Sequence, residues 1–159
     1  MEEVRANRFP FAIDDLVPSL YSTEFVYASP QSCSIYSVDN EKVSRNMHFT
    51  DEVFFQPIPV SLQPSSSPLV YYASHPNGIQ LCDFRIQRPS RLSSTPRCVF
   101  LERIDEDWNH LIVALEDEVN IIDIRNPNAL LMRWRYQGTL QKIRCLRCPS
   151  EYNILIILR

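Results

Sequence analysis

The clearest hydrophobic pattern lies in residues 110–136, HLIVALEDEVNIIDIRNPNALLMRWRY. An apolar run at 111–115 leads into the acidic turn Glu116, Asp117, Glu118, and a second run at 119–122 closes on Asp123 and Arg125. Two short apolar runs bounded by turn residues predict a β-hairpin. Asn126, Pro127 and Asn128 are expected to break the pairing before a third extended run at 130–136. The same pattern recurs in weaker form at 24–40, EFVYASPQSCSIYSVDN, and at 69–85, LVYYASHPNGIQLCDFR. In the second of these, Asn77-Gly78 between two apolar runs is a strong hairpin signal. Hairpins are therefore expected over 25–39, 69–83 and 111–123, with turns near Ser32, Asn77 and Asp117. The chain has 12 Pro and only 2 Gly. Its turns should accordingly be longer than the two-residue glycine types and built on Pro or Asn.

Between the hairpins the signal is poorer. Residues 1–22 mix Pro, Asp and aromatics without a period and read as an extended lead-in or an outer strand. The segment 40–67 begins polar and passes through the apolar island VFFQPIPVSL. QPSSSP at 63–68, the Arg-, Pro- and Ser-rich stretch 86–97, and IDEDW at 104–108 read as exposed loops. No segment sustains an apolar pattern at helical spacing, so the class is all-β.

The hairpins repeat at a fixed interval. Asp39 to Asp83 is 44 residues, Asp83 to Asp123 is 40, and FVYAS at 25–29 recurs as VYYAS 45 residues later. Leu155 lies 44 beyond Leu111, where a fourth unit would place its strand. A period of about 40–45 residues is that of a propeller blade. The expected fold is a partial WD40-like β-propeller of about three degenerate blades, with repeats near 23–67, 68–109 and 110–152 and a fourth starting at 153–159. Because the last residue falls inside a predicted strand, a fragment of a longer propeller is expected.

Composition narrows the function classes. The chain has 159 residues, 22% of them charged and 45% hydrophobic, with a net charge of −3. That is globular composition without the basic field of a non-specific nucleic-acid binder. No apolar run is long enough to span a bilayer. Five Cys without an apolar leader read as reduced thiols of an intracellular protein. Cys145 and Cys148 have zinc-site spacing, but no second ligand pair follows, and three residues apart on a strand they face opposite ways. His75-Pro76 reads as a rigid turn, with His48 and His110 far off in sequence. Asp83 with Arg85, and Asp123 with Arg125, are read as turn-fixing groups in preference to exposed contact pairs. Arg133, Arg135, Lys142, Arg144 and Arg147, interleaved with Trp134 and Tyr136, form a basic surface for a partner or a solvated face. Alternation puts Arg133 and Arg135 on one side and Trp134 on the other, half-buried side. No phosphate-binding glycine loop, nucleophile elbow or metalloprotease helix is present in the sequence.

The Gly-His and Trp-Asp dipeptides of WD40 repeats are missing; Cys82-Asp83 and Ile122-Asp123 stand in the Trp-Asp position. Two segments, ASHPNGIQLCDFR (73–85) and residues 110–136, resemble a narrower family: the propeller-bearing TATA-binding-protein-associated factors of the RNA polymerase I promoter-selectivity complex. The resemblance rests on Ala73, His75 and Pro76, then on Asp123, Arg125, Pro127 and Trp134, in that order, over roughly 69–136. It implies a non-catalytic scaffold in transcription initiation at the ribosomal RNA gene promoter, in the nucleus and nucleolus. Its partners would be the other proteins of that complex, TATA-binding protein among them, with indirect promoter DNA contact and no metal, cofactor or membrane. The residues alone equally allow an unrelated WD40-like adaptor or a propeller-type hydrolase.

Blades stabilise one another by stacking, so an open run of them leaves apolar faces uncovered. Residues 153–158 are apolar with no Pro, which is the profile of an associating edge. The isolated chain is expected to self-associate as its concentration rises in size-exclusion chromatography. A cooperatively melting monomer would instead indicate a closed small barrel or sandwich.

Overall fold

The structure, a computed structural model, describes residues 13–19, 21, 23–49, 60–86, 88–93, 98–104, 107–148 and 151–158; in the last two strands side chains are described for 140–144, 156 and 157. Among these residues all regular structure is β, in four antiparallel sheets that follow one another along the chain. The first holds β1 (Asp15–Pro18), β2 (Glu24–Ser29), β3 (Ser32–Ser37) and β4 (Lys42–His48). The second holds β5 (Leu62–Pro64), β6 (Val70–His75), β7 (Gly78–Asp83) and β8 (Ser90–Ser93). The third holds β9 (Phe100–Ile104), β10 (Asp107–Ala114), β11 (Glu118–Asp123) and β12 (Asn126–Arg135). The last pairs β13 (Leu140–Cys148) with β14 (Glu151–Leu158). Each of the first three is a meander, its strands bonded in chain order. The architecture is compatible with a propeller-like fold.

The three expected hairpins are present as β2–β3, β6–β7 and β10–β11. Their turns keep the predicted chemistry but not the predicted length. Ser29 pairs with Ser32 and His75 with Gly78, so two of the loops have only two residues. Side chains close the turns that glycines would otherwise close. Ser29 Oγ accepts from Ser32 N at 3.1 Å, and His75 Nδ1 accepts from Asn77 N at 3.3 Å. Gly78 is needed for its φ of 127°, which a side chain would oppose.

Several stretches read as loops are strands. Gln63 and Pro64 belong to β5, part of 86–97 is β8, the polar start of 40–67 is β4, and β1 lies in the lead-in. Asn126, Pro127 and Asn128 do not break the pairing but open β12. Irregular register between Ile121 and Asp123 absorbs the extra residues. Pro64 and Pro127 are tolerated because β5 and β12 lie at sheet edges, where a missing N–H removes no ladder bond. In IDEDW, Ile104 ends β9 buried and Asp107 opens β10; residues 105 and 106 lie outside the described residues.

The repeat interval also needs correcting. Strands β3, β7 and β11 each have six residues and end at Ser37, Asp83 and Asp123. The counterpart of the two aspartates is therefore Ser37, whereas Asp39 lies in the following turn. The interval from Ser37 to Asp83 is 46, and the equivalence FVYAS to VYYAS at 45 is one residue out of step. One residue on a strand exchanges its two faces. At an interval of 46, Val26 answers to Tyr72, and both point toward the next sheet along the chain. The sequence repeats also straddle the sheets, since β5, β9 and β13 fall at the ends of the units 23–67, 68–109 and 110–152.

Three apolar layers lie between the sheets. Val26, Ala28, Cys33 and Ile35 meet Leu62, Tyr71, Ala73 and Cys82; Tyr72 and Ile79 meet Leu101, Leu111 and Val113; Ile112, Ala114 and Val119 meet Ile143. The middle sheets bury both faces, which is why β6 and β10 read as nearly continuous apolar runs. At one side of this stack the first strands of successive sheets touch: β1 with β5, β5 with β9, and β9 with β13. Polar side chains bond each to the next. Asp14 Oδ2 accepts from Val60 N at 3.0 Å and Asp15 Oδ2 from Leu62 N at 2.7 Å. Gln63 then donates to Leu101 O at 3.1 Å and accepts from Arg103 N at 3.3 Å. Both carboxylate oxygens of Glu102 accept from Arg144 Nη1 at 3.2 Å.

Leu62 is fully buried, so removing its acceptor strands an N–H away from water. Asp15→Ala is expected to destabilise the protein by about 1–3 kcal/mol, read from urea midpoints, while Asp15→Asn keeps an acceptor and loses less than half of that. Equal midpoints for the alanine variant and the unmodified chain would show that this junction adds nothing to stability.

Candidate interaction surface

The two Asp-x-Arg motifs take one geometry. Asp83 Oδ1 accepts from Arg85 N at 3.0 Å and Nε at 2.8 Å, while Oδ2 takes Nη2 at 2.6 Å. Asp123 repeats this with Arg125 at 2.9, 2.9 and 2.6 Å. Each carboxylate thus both fixes the turn after its strand and grips the guanidinium in a bidentate fork. The fork holds both carboxyls below the usual range, Asp123 at about 2. The first sheet closes its turn differently, with Asn40 Nδ2 donating to Ser37 Oγ at 3.0 Å. Beside Asp123, His110 is its register partner and bonds Asp107 Oδ2 through Nδ1 at 2.5 Å. Burial opposes ionisation of Asp107, but the bonds from His110 and from Asn109 N outweigh it and lower its pKa.

The other motif residues are structural. Ala73 is fully buried between the first two sheets, and His75 is buried at the end of β6 with its ring 5.6 Å from Phe49. Pro76 occupies the two-residue turn. Cys33 and Cys82 are buried in one layer; the thiol of Cys82 and burial together push Cys33 well up. Burial pushes Cys98 up to about 12. Thiols so held are poor nucleophiles. Cys145 and Cys148 lie on β13, but their side chains fall outside the described residues.

The basic surface divides in two. Arg133 and Arg135 are on β12 and Lys142, Arg144 and Arg147 on β13. The side chain of Arg147 lies outside the described residues. Arg144 is engaged by the buried Glu102, so it serves the inner junction. Arg133 keeps one long contact, Nε to Glu118 Oε2 at 3.4 Å. Trp134 is 37% exposed, against the half-buried position expected, and Leu130, Leu131 and Met132 are exposed with it. The cause is position: β12 has ten residues, is the last strand of its sheet, and bonds only β11. Met132 and Trp134 stand opposite Ile121 and Val119 on one face, and Arg133 opposite Asn120 on the other. A long, open edge with exposed apolar side chains is a pairing surface.

Below the arginine face lies a cleft of about 450 Å³, walled by Val113, Leu115, Ile122, Leu130 and Pro127. Its depth follows from strand lengths, since β8 in the neighbouring sheet has four residues and cannot cover a ten-residue β12. Glu118 and Asn120 are at its floor. Asn120 is 4% exposed; its Nδ2 donates to Glu118 Oε1 at 2.9 Å, but its Oδ1 has no hydrogen-bond partner in the protein. Such an acceptor costs about 1–3 kcal/mol when left unpaired. Sequence reasoning missed both residues, although a lone Asn inside the apolar run VNII was a visible signal. A second cleft of about 290 Å³ by Ser34, Asn46 and His48 differs: Ser34 Oγ donates to Asn46 Oδ1 at 2.7 Å, and Asn46 Nδ2 meets His48 Nε2 at 3.0 Å. Among the described residues no group of three or more His, Cys, Asp or Glu is placed to hold a metal ion.

No family model matches the chain, and no curated protein matches it. Among solved structures, the hydrazine synthase of Kuenenia stuttgartiensis is similar, with a TM-score of 0.61 at 8% identity. The match covers 86% of this chain but 39% of that one. At such low identity the likeness speaks to the fold alone.

The depressed carboxyls set a pH dependence. A folded pKa below the unfolded value gives stability that is complete above about pH 4 and is lost as pH falls toward the folded value. The thermal midpoint is expected to fall between about pH 4 and 2, and Asp123→Asn should make that fall shallower while lowering the midpoint slightly at neutral pH. Identical acid profiles for variant and parent would show that the fork contributes nothing to folding.

Proposed function

We propose that the chain is part of a β-propeller, each four-stranded meander being a blade with its first strand at the axis. It serves as a non-catalytic scaffold that assembles protein subunits. The observation that carries this reading is β12, an open ten-residue edge with Met132 and Trp134 exposed on one face and arginines on the other. The neighbouring contacts of β1, β5, β9 and β13 support the radial arrangement, as does the similarity to part of hydrazine synthase. The resemblance of 73–85 and 110–136 to the promoter-selectivity family supplies the setting. In that setting the chain acts in RNA polymerase I initiation at the ribosomal RNA gene promoter in the nucleolus, with TATA-binding protein among its partners. A net charge of −3 suits contact with promoter DNA made through those partners.

Tagged chain in cells is expected to co-purify with TATA-binding protein and to occupy the ribosomal RNA gene promoter in chromatin immunoprecipitation. Met132→Glu with Trp134→Glu should lower both signals about tenfold by placing charge in a desolvated contact. Recovery of protein partners without promoter occupancy would favour an unrelated adaptor. Substrate turnover by the purified chain would favour a propeller hydrolase.

A further inference from the structure

We infer that the cleft between β8 and the face of β10, β11 and β12 is a docking site for an extended, acidic segment of a partner protein, which gives one N–H or O–H to Asn120. This deepens the scaffold reading and rests on it.

The floor specifies a donor. The amide of Asn120 cannot be turned round, because its nitrogen faces the Glu118 carboxylate and exchange would set two acceptors against each other. The free atom is therefore the carbonyl oxygen, buried and lining the cleft. It accepts a side-chain amide or hydroxyl and gains nothing from a methyl group.

The rim specifies charge. Arg133 and Arg135 face the cleft opposite Asn120 and Glu118, and Glu118 is the acid that lines it. Two positive charges against one negative leave the mouth cationic. The Arg133 side chain is 50% exposed, so it can swing from its single 3.4 Å contact to an arriving carboxylate. Shape specifies an extended chain: β12 bonds only β11, and its other edge offers backbone N–H and C=O groups beside the cleft. Leu115, Ile122 and Leu130 supply an apolar wall for alternate side chains.

The test uses a fluorescein-labelled ten-residue peptide of alternating threonine and glutamate with one central glutamine, titrated with the full chain by fluorescence anisotropy. Binding is expected to weaken about tenfold when lysine replaces glutamate, and about tenfold when leucine replaces the central glutamine. Asn120→Leu should weaken the glutamine peptide by a similar factor without lowering the thermal midpoint, whereas a merely structural asparagine would lower the midpoint and leave binding alone. Arg133→Glu with Arg135→Glu, at exposed positions that do not threaten folding, should abolish binding. The inference fails if the lysine peptide binds as well, if Asn120→Leu leaves peptide affinity unchanged, or if labelled oligothymidine binds more tightly than the peptide. It also fails if the peptide is displaced as the chain dimerises, which would make a second copy the occupant. Promoter occupancy retained by a chain that does not bind the peptide would remove the cleft and keep the scaffold. Peptide binding without promoter occupancy would keep the cleft and replace the transcription partner.

Discussion

Everything else in this fold depends on how the first strand of one sheet is tied to the first strand of the next. Apolar layers hold sheets together, but they are non-directional and would tolerate sliding. Direction comes from side chains that bond across the junction: Asp14 and Asp15 onto the backbone of β5 and its approach, Gln63 onto β9, and Glu102 with Arg144 of β13. These bonds join residues some 40 positions apart in sequence, and they are made where the backbone donors are buried or half-buried. Misalignment would leave those donors unpaired, so the bonds select one stacking among many that hydrophobicity alone allows.

That device was not legible in the sequence. Asp14, Asp15, Gln63 and Glu102 have no common motif; they share only a place at the start of each sheet, and that place falls in stretches that read as lead-in, loop or the tail of a repeat. The hairpins were legible, because two apolar runs around Pro76-Asn77-Gly78 or around Glu116, Asp117 and Glu118 are local signals. Faces were not, because they hinge on a single residue of register. Asp39 resembled Asp83 and Asp123 in type, yet Ser37 holds their position, and a match of letters at 45 residues hid a structural interval of 46. Short edge strands such as β5 and β8 escape for a related reason: three or four half-buried residues do not make a period.

The basic surface shows the same limit at the level of the site. Sequence grouped Arg133, Arg135, Lys142, Arg144 and Arg147, because charge is visible and pairing is not. In the fold, the two acid–arginine pairs have different strengths. Glu102 is 8% exposed, and both its oxygens lie 3.2 Å from Arg144 Nη1. Parting them would strand a buried charge, which is strongly unfavourable. Glu118 and Arg133 share one contact at 3.4 Å with half of the arginine in solvent, and exposed pairs of that kind contribute about 0–1 kcal/mol.

The inner and outer ends of the sheets are therefore built to opposite rules. At the inner end, polar groups are matched across each junction, which leaves little for a ligand to add. At the outer end, β8 stops after four residues while β12 runs for ten, and the floor exposed between them carries Asn120 with one acceptor unpaired. An aliphatic residue there would suit the apolar neighbours Val119 and Ile121 and would leave no unpaired carbonyl, so stability alone gives no reason for an asparagine. Local rules are broken where something other than folding is served. By that criterion the outer face of β11 and β12, and not the inner ring of matched side chains, is where this chain meets its partners.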